Sequence, residues 1–202
     1  MARRSDHTPE ALKGLILDAA EAIVADDGLS ALTARGIATR IGYSPGTIYH
    51  LFANLDEVVL HVEARVLERL EQRLTALPPA AEPEAGLRSL AETYLAFTLA
   101  NRRLWSMLFE HTLPKEVETP DWYAQRLGRL LAILEQALQP FFRAEQAGER
   151  IRAARVLWAS VHGIVSLSVA DKLTNVTTDT AALLIDDLIT TYVAGIKHRH
   201  AI

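Results

Sequence analysis

The sequence predicts an all-α protein, and two observations carry that expectation. Apolar residues return at spacings of three and four almost throughout, and no alternating run is long enough for a strand. Gly and Pro, with Ser or Thr beside them, punctuate this pattern where helices would stop and start.

The elements follow in order. Leu12, Leu15, Ile16, Ala19 and Ile23 form the stripe of a first amphipathic helix. Thr8 ahead of Pro9 supplies an N-cap and a proline at the first helical position, and Gly28 is the stop. Thr33 caps a short second helix that carries Ile37, Ala38 and Ile41 inward and ends at Gly42. Ser44 and Pro45 open a third, where Tyr43 and Ile48 are spaced for a hydrophobic staple. Ile48, Leu51 and Phe52 are its buried stripe. Helices this short do not stand alone, so both must pack on the first helix and the start of the fourth. That fourth helix begins near Asp56 and runs through Val59, Leu60, Val66, Leu67 and Leu70 to Leu74.

The stretch LPPAAEPEAG, Leu77 to Gly86, ends it. Further helices are predicted over 86–101, 103–112, 121–144, 148–173 and 178–198, with Pro140 kinking or splitting the third of these. Thr112 to Asp121 is a polar loop.

Composition narrows the function. Half of the 202 residues are apolar, enough for a real core, and the absence of cysteine excludes disulfides and thiolate metal sites. No apolar stretch follows the arginines of MARRSDHTPEALKG, so no secretory signal is expected. No uncharged apolar run approaches the ~18 residues of a membrane span, and a soluble cytoplasmic protein is the expectation. The net charge of −4 argues against a nucleic-acid partner, but its distribution argues the other way. Between Asp27 and Asp56 there is no acid at all, where about three would be average, while Arg35 and Arg40 remain.

The cleared window is also the segment of short helices. The buried stripe of the third leaves Pro45, Gly46, Thr47, Tyr49 and His50 facing outward. Thr47 and Tyr49 can meet phosphates, the Thr47 methyl can touch a thymine methyl, and His50 can serve phosphate or base. Arg35 can reach a phosphate or a guanine edge. Backbone N–H groups at Thr33 and Ser44 offer helix N-termini to phosphate oxygens, and small residues at 45 and 46 permit close approach. Arg3 and Arg4 read either as an arm reaching DNA or as a simple tail.

This segment resembles the TetR family of one-component regulators through Leu32-Thr33, Ile37-Ala38, Gly42, Ser44, Gly46-Thr47-Ile48-Tyr49 and Phe52. The resemblance implies a helix-turn-helix whose second helix, from Ser44, enters the major groove with Thr47, Tyr49 and His50 on DNA. Two positions depart from the family's pattern. Leu55 stands where a phosphate-gripping lysine is usual, and Gly36 replaces a larger residue at a helix-propensity cost of ~1 kcal/mol.

In the C-terminal half, Ala181, Leu184, Ile185, Leu188 and Tyr192 form one stripe, widened by Leu183, Ile189, Val193 and Ile196. A helix apolar on more than one side needs more than one partner. The helix before it carries Leu157, Val161, Ile164 and Val165, with Ala154, Ser160, Gly163 and Ser168 between. Similarity to the family implies that these last two helices pair with their copies in a two-fold dimer. The run Trp158-x3-His162-Gly163 is similar to a C-terminal subclass of that family, as is YLAFTLANRRLWSMLF from Tyr94 to Phe109. Trp158 and His162 share a helical face, either lining an apolar pocket for a small apolar or amphipathic effector or forming a core pair. Trp105, Phe109 and Trp122 are further candidates for that pocket.

Metal spacing is poor in His61-x-Glu63, Glu110-His111 and His198-x-His200, and no cofactor is implied. The terminal Lys197-His198-Arg199-His200 suits a helix C-terminus by charge. No phosphate loop, carboxylate pair or activated nucleophile suggests an enzyme. The reading is therefore a DNA-binding domain over 1–56 and a dimerisation and effector domain over 57–202. Together they make a repressor released from a pseudo-palindromic double-stranded operator.

Overall fold

A computed structural model describes residues 7–200; Arg3 and Arg4 lie outside the described residues, as does the side chain of His200. Among the described residues there are nine α-helices and no strand. They are α1 (Pro9–Asp27), α2 (Ala34–Ile41), α3 (Pro45–Tyr49), α4 (Leu55–Thr75), α5 (Pro83–Ala100), α6 (Arg102–Glu110), α7 (Asp121–Ala137), α8 (Ala147–Val169) and α9 (Ala181–His200). No helix among them is long and apolar enough to cross a membrane.

The chain folds into two compact units, each built from two stretches of sequence. The first combines Met1–Leu67 with Asn101–Tyr123, the second Glu68–Ala100 with Ala124–Ile202.

In the first unit the predicted caps do their work. Thr8 Oγ1 accepts from the Ala11 N–H at 3.2 Å, and Thr33 Oγ1 accepts from the Gly36 N–H at 3.0 Å. A Cβ at Gly36 would stand 3.1 Å from that Thr33 hydroxyl and 3.6 Å from Ile23 Cδ1. The glycine thus trades helix propensity for a close contact between α2, its own cap and α1. Gly42 ends α2 in the left-handed region, φ 75° and ψ 28°, and its N–H returns to the carbonyls of Ala38 and Thr39. Ser44 behaves differently. It stands at the N-cap of α3, but its side chain caps nothing and instead meets Thr47 Oγ1 at 3.1 Å. The core of this unit gathers Ile16, Ala20, Val24, Ile37, Ile48, Val58, Val62, Val66 and Met107, all fully buried. Burial of each large side chain among them is worth roughly 1.5–3 kcal/mol.

In the second unit α5, α8 and α9 pack together around Leu87, Phe97, Leu157, Val165, Ile189 and Val193. Tyr192 of α9 donates to the Ala153 carbonyl of α8 at 3.1 Å. Arg88 of α5 bonds Glu84, Asp186 and Thr190, tying α5 to α9. The continuous helix expected over 121–144 stops at Ala137, with Pro140 inside a 3₁₀ turn, Gln139–Phe141. A proline lacks the N–H and the room for a helix interior, so the run splits rather than bends. The helix expected over 148–173 likewise ends at Val169, followed by Asp171 at φ 55°.

Gly42→Ala is expected to cost about 1–2 kcal/mol, because a Cβ is strained at this φ whatever the space around it. A urea melt showing an unchanged midpoint would contradict the left-handed assignment.

Candidate nucleic-acid interface

The two short helices present one face outward. Pro45, Gly46, Tyr49 and His50 are exposed on α3, and Thr33 and Arg35 are exposed at the start of α2. Tyr49 leaves 52% of its surface free, a large value for an aromatic ring flanked by the fully buried Ile48. Thr47 is only half-buried outward, held by its contact with Ser44. That bond fixes the rotamer of Thr47, so its methyl and hydroxyl are presented in a set orientation rather than freely.

What keeps this face open is the support beneath it. Ile48 and Phe52 are both buried, and Lys13 of α1 lies over the Phe52 ring, 5.5 Å from its centroid. His61 of α4 meets the same ring edge-on at 5.7 Å. Leu55, the first residue of α4, is half-buried.

Asp26, Glu57 and Asp56, near the two ends of the window, each have a polar partner. Asp26 pairs with Arg40 at 3.2 Å. Glu57 accepts from the Ala53 N–H at 2.6 Å, while its own N–H donates to Asn54 Oδ1 at 2.8 Å, a reciprocal cap on α4. Asp56 faces His111 Nε2 at 3.2 Å. Arg40 is therefore engaged, whereas the acid-free stretch from Gly28 to Leu55 keeps a face on which phosphate meets no carboxylate of its own.

Sequence reasoning missed the polar cluster beneath this border. Glu63 of α4 is 2% exposed, and His111, just after α6, meets it through Nδ1 at 3.2 Å. The Tyr123 phenol also hydrogen-bonds Glu63, and burial with that carboxylate pushes its pKa up. Bonding to Glu63 pushes His111 above the ordinary histidine value despite burial, with Asp56 adding to the effect. His61 moves the opposite way, since burial lowers it, and it stacks on Trp122 at 4.7 Å between centroids.

The predicted effector residues fall into groups. Trp105, buried, meets the exposed Phe109 at 6.0 Å, and Trp122 meets His61 and Tyr123, all in the first unit. In the second unit Trp158 stacks on His162, 5.2 Å apart and 5° from parallel. Tyr94 of α5 hydrogen-bonds His162 Nδ1 at 2.7 Å, and burial lowers the His162 pKa, which favours the neutral ring. Trp158 stays 37% exposed. Among the described residues no three His, Cys, Asp or Glu are placed to hold a metal.

Comparison with known proteins agrees with the fold. Residues 16–62 match the family described as bacterial regulatory proteins, tetR family, and residues 87–192 match the tetracyclin repressor-like C-terminal domain. No curated protein shows a significant sequence match. Among solved structures, SCO4313, described as a regulatory protein, is similar at TM-score 0.74 and 21% identity, covering 96% of this chain and 100% of its own. A protein of unknown function from Rhodococcus sp. RHA1 has TM-score 0.69 and 20% identity, covering 96% and 97%. A TetR-family transcriptional regulator from Streptomyces coelicolor has TM-score 0.64 and 21% identity, covering 91% and 98%. These likenesses show a shared fold. The C-terminal match alone spans more than half of the chain, and the chain belongs to the TetR family of DNA-binding transcriptional regulators.

Proposed function

We propose that the protein is a homodimeric repressor that leaves a pseudo-palindromic operator when a small apolar or amphipathic effector binds its C-terminal half. The observation that carries the DNA-reading assignment is the exposed, acid-free face of α2 and α3. On it Thr47, Tyr49 and His50 read the major groove, while Thr33, Arg35 and Ser44 hold phosphates and Pro45 and Gly46 allow approach. The division of roles falls at residue 56, with 1–56 reading DNA and 57–202 serving assembly and effector binding in the cytoplasm.

Support for the dimer comes from α8 and α9. Val156, Gly163 and Leu167 are exposed on one face of α8 with the half-buried Ser160, whose hydroxyl is spent on the Val156 carbonyl at 2.9 Å. On α9, Leu183 is exposed and Leu184 and Leu188 are half-buried. A Cβ at Gly163 or Gly195 would meet nothing within 4 Å, so no packing within the chain requires those glycines. A two-fold partner seated there uses the close approach they permit and sets two α3 helices on half-sites about one helical turn or a multiple apart.

The effector reading, with membership of the Trp-x3-His-Gly subclass, rests on Trp158 and His162. A Trp ring partly open on one side and backed by a His that Tyr94 orients suits an amphipathic molecule. Trp105, Phe109 and Trp122 have ring partners of their own in the first unit and stand as secondary candidates.

Tyr49→Ala is expected to abolish binding to a duplex selected by the wild-type protein while moving the thermal midpoint by no more than a few degrees. Gel shift and calorimetry read the two quantities, and wild-type affinity would remove α3 from the groove. Val156→Arg should yield monomers in sedimentation with unchanged helix content, since charge at the core of an apolar interface costs about 3–5 kcal/mol when unpaired. A persistent dimer would move the interface elsewhere. In a small-molecule panel scored by duplex release, Trp158→Phe and His162→Gln should change which compounds act, with binding of the duplex itself retained. Identical panels for both variants and wild type would make the pair a core contact.

A further inference from the structure

The segment Asn101–Tyr123 completes the first unit from a distant part of the chain, and His111 joins it to α4. His111 meets Asp56 through Nε2 and Glu63 through Nδ1, each at 3.2 Å, so both ring nitrogens face carboxylates. Only the imidazolium can donate to both at once; a neutral ring leaves one carboxylate facing a lone pair. The charged groups facing the ring come from α4, and from α7 the Tyr123 phenol closes on Glu63. From α1, which packs along α6, the polar contact is at the far end, where Arg103 reaches the Ala25 carbonyl at 3.3 Å.

Asp56 sits in the first turn of α4, immediately after Leu55, where the acid-free window ends. Its carboxylate is 40% exposed, whereas Glu63 is sealed in the core. We propose that His111 is a proton-operated latch whose charge neutralises Asp56 at the border of the DNA-reading face and fastens 101–123 to α4, so that operator affinity falls as the proton leaves. Two effects act in the same direction. Loss of the proton restores a negative charge at the edge of the acid-free face, and it loosens the helix start on which α3 rests, so that more must be ordered on binding.

The sign follows from linkage. A histidine whose folded pKa is raised contributes stability that is complete below about 6.5 and disappears as pH climbs through the folded value. His61 and His162, both lowered, contribute the opposite trend below about 6.5, so the latch is read on the alkaline side.

The test uses the full chain and a duplex that the wild-type protein has selected from a random pool. Between pH 6.5 and 8.5, wild-type affinity should fall about fivefold or more, a modest coupling between sites. His111→Gln should be weak and flat over that range. Asp56→Asn, which removes the border charge but leaves His111 on Glu63, should have a shallower pH dependence than wild type and bind at least as tightly at pH 8.5. The His111 ring resonances should titrate above the ordinary value without DNA and higher still with it. An equal pH dependence in wild type, His111→Gln and Asp56→Asn would overturn the latch. So would a dependence abolished only by His50→Gln, which would place the titrating group on the DNA face itself. If no variant binds DNA, the ring titration alone decides, and an ordinary His111 value defeats the proposal.

Discussion

A helix of five residues cannot hold itself in water, and the face proposed to read DNA depends on something else holding α3. Nucleation costs more than one turn of hydrogen bonds returns. Ile48 and Phe52 meet the deficit by burial, the first with no exposed surface and the second with 2%. Around them stand α1, supplying the Lys13 ammonium over the Phe52 ring, and α4, supplying the edge of His61. The outward residues are presented by a scaffold whose rigidity is entirely on the inward side. Even Thr47 owes its orientation to a neighbour, the Ser44 hydroxyl.

Much of this was legible in the sequence because its causes are local. Thr33 and Gly42 each act on atoms within four residues, and the pattern placed both correctly. Proline at the head of α3 was equally readable, but the use of Ser44 was not. Its hydroxyl has two possible local partners, the backbone N–H and Thr47, and spacing does not choose between them. Periodicity overran α7 and α8 for a related reason. Apolar spacing persists past Ala137 and Val169, while the break at each is a backbone event that hydrophobicity does not report.

The polar cluster was invisible for the opposite reason. Glu63 and Asp56 lie 48 and 55 residues before His111, and no short motif joins them. Read singly, His61-x-Glu63 and Glu110-His111 look like failed metal spacings. Folding gives them different meanings, since His61 is stacked between Phe52 and Trp122 and His111 is held between two carboxylates. Buried charge is tolerated only when paired, and the pairing is a property of the tertiary fold alone. The aromatic candidates teach the same lesson. Trp158 and His162 were grouped correctly because four residues on a helix is a local relation, whereas Trp122 and His61 were brought together by topology.

The split construction of the first unit has a consequence for how such proteins can be recombined. The segment proposed to read DNA ends near residue 55, yet α6 packs on α1, and His111 and Tyr123 close over α4 from more than forty residues downstream. A graft that moves only the first 56 residues onto another regulator would carry Asp56 but leave behind the histidine that answers it. Modular exchange of reading heads within this architecture therefore has a non-contiguous unit of inheritance. The donor segment must bring α6 with it, or the recipient's own α6 must already match.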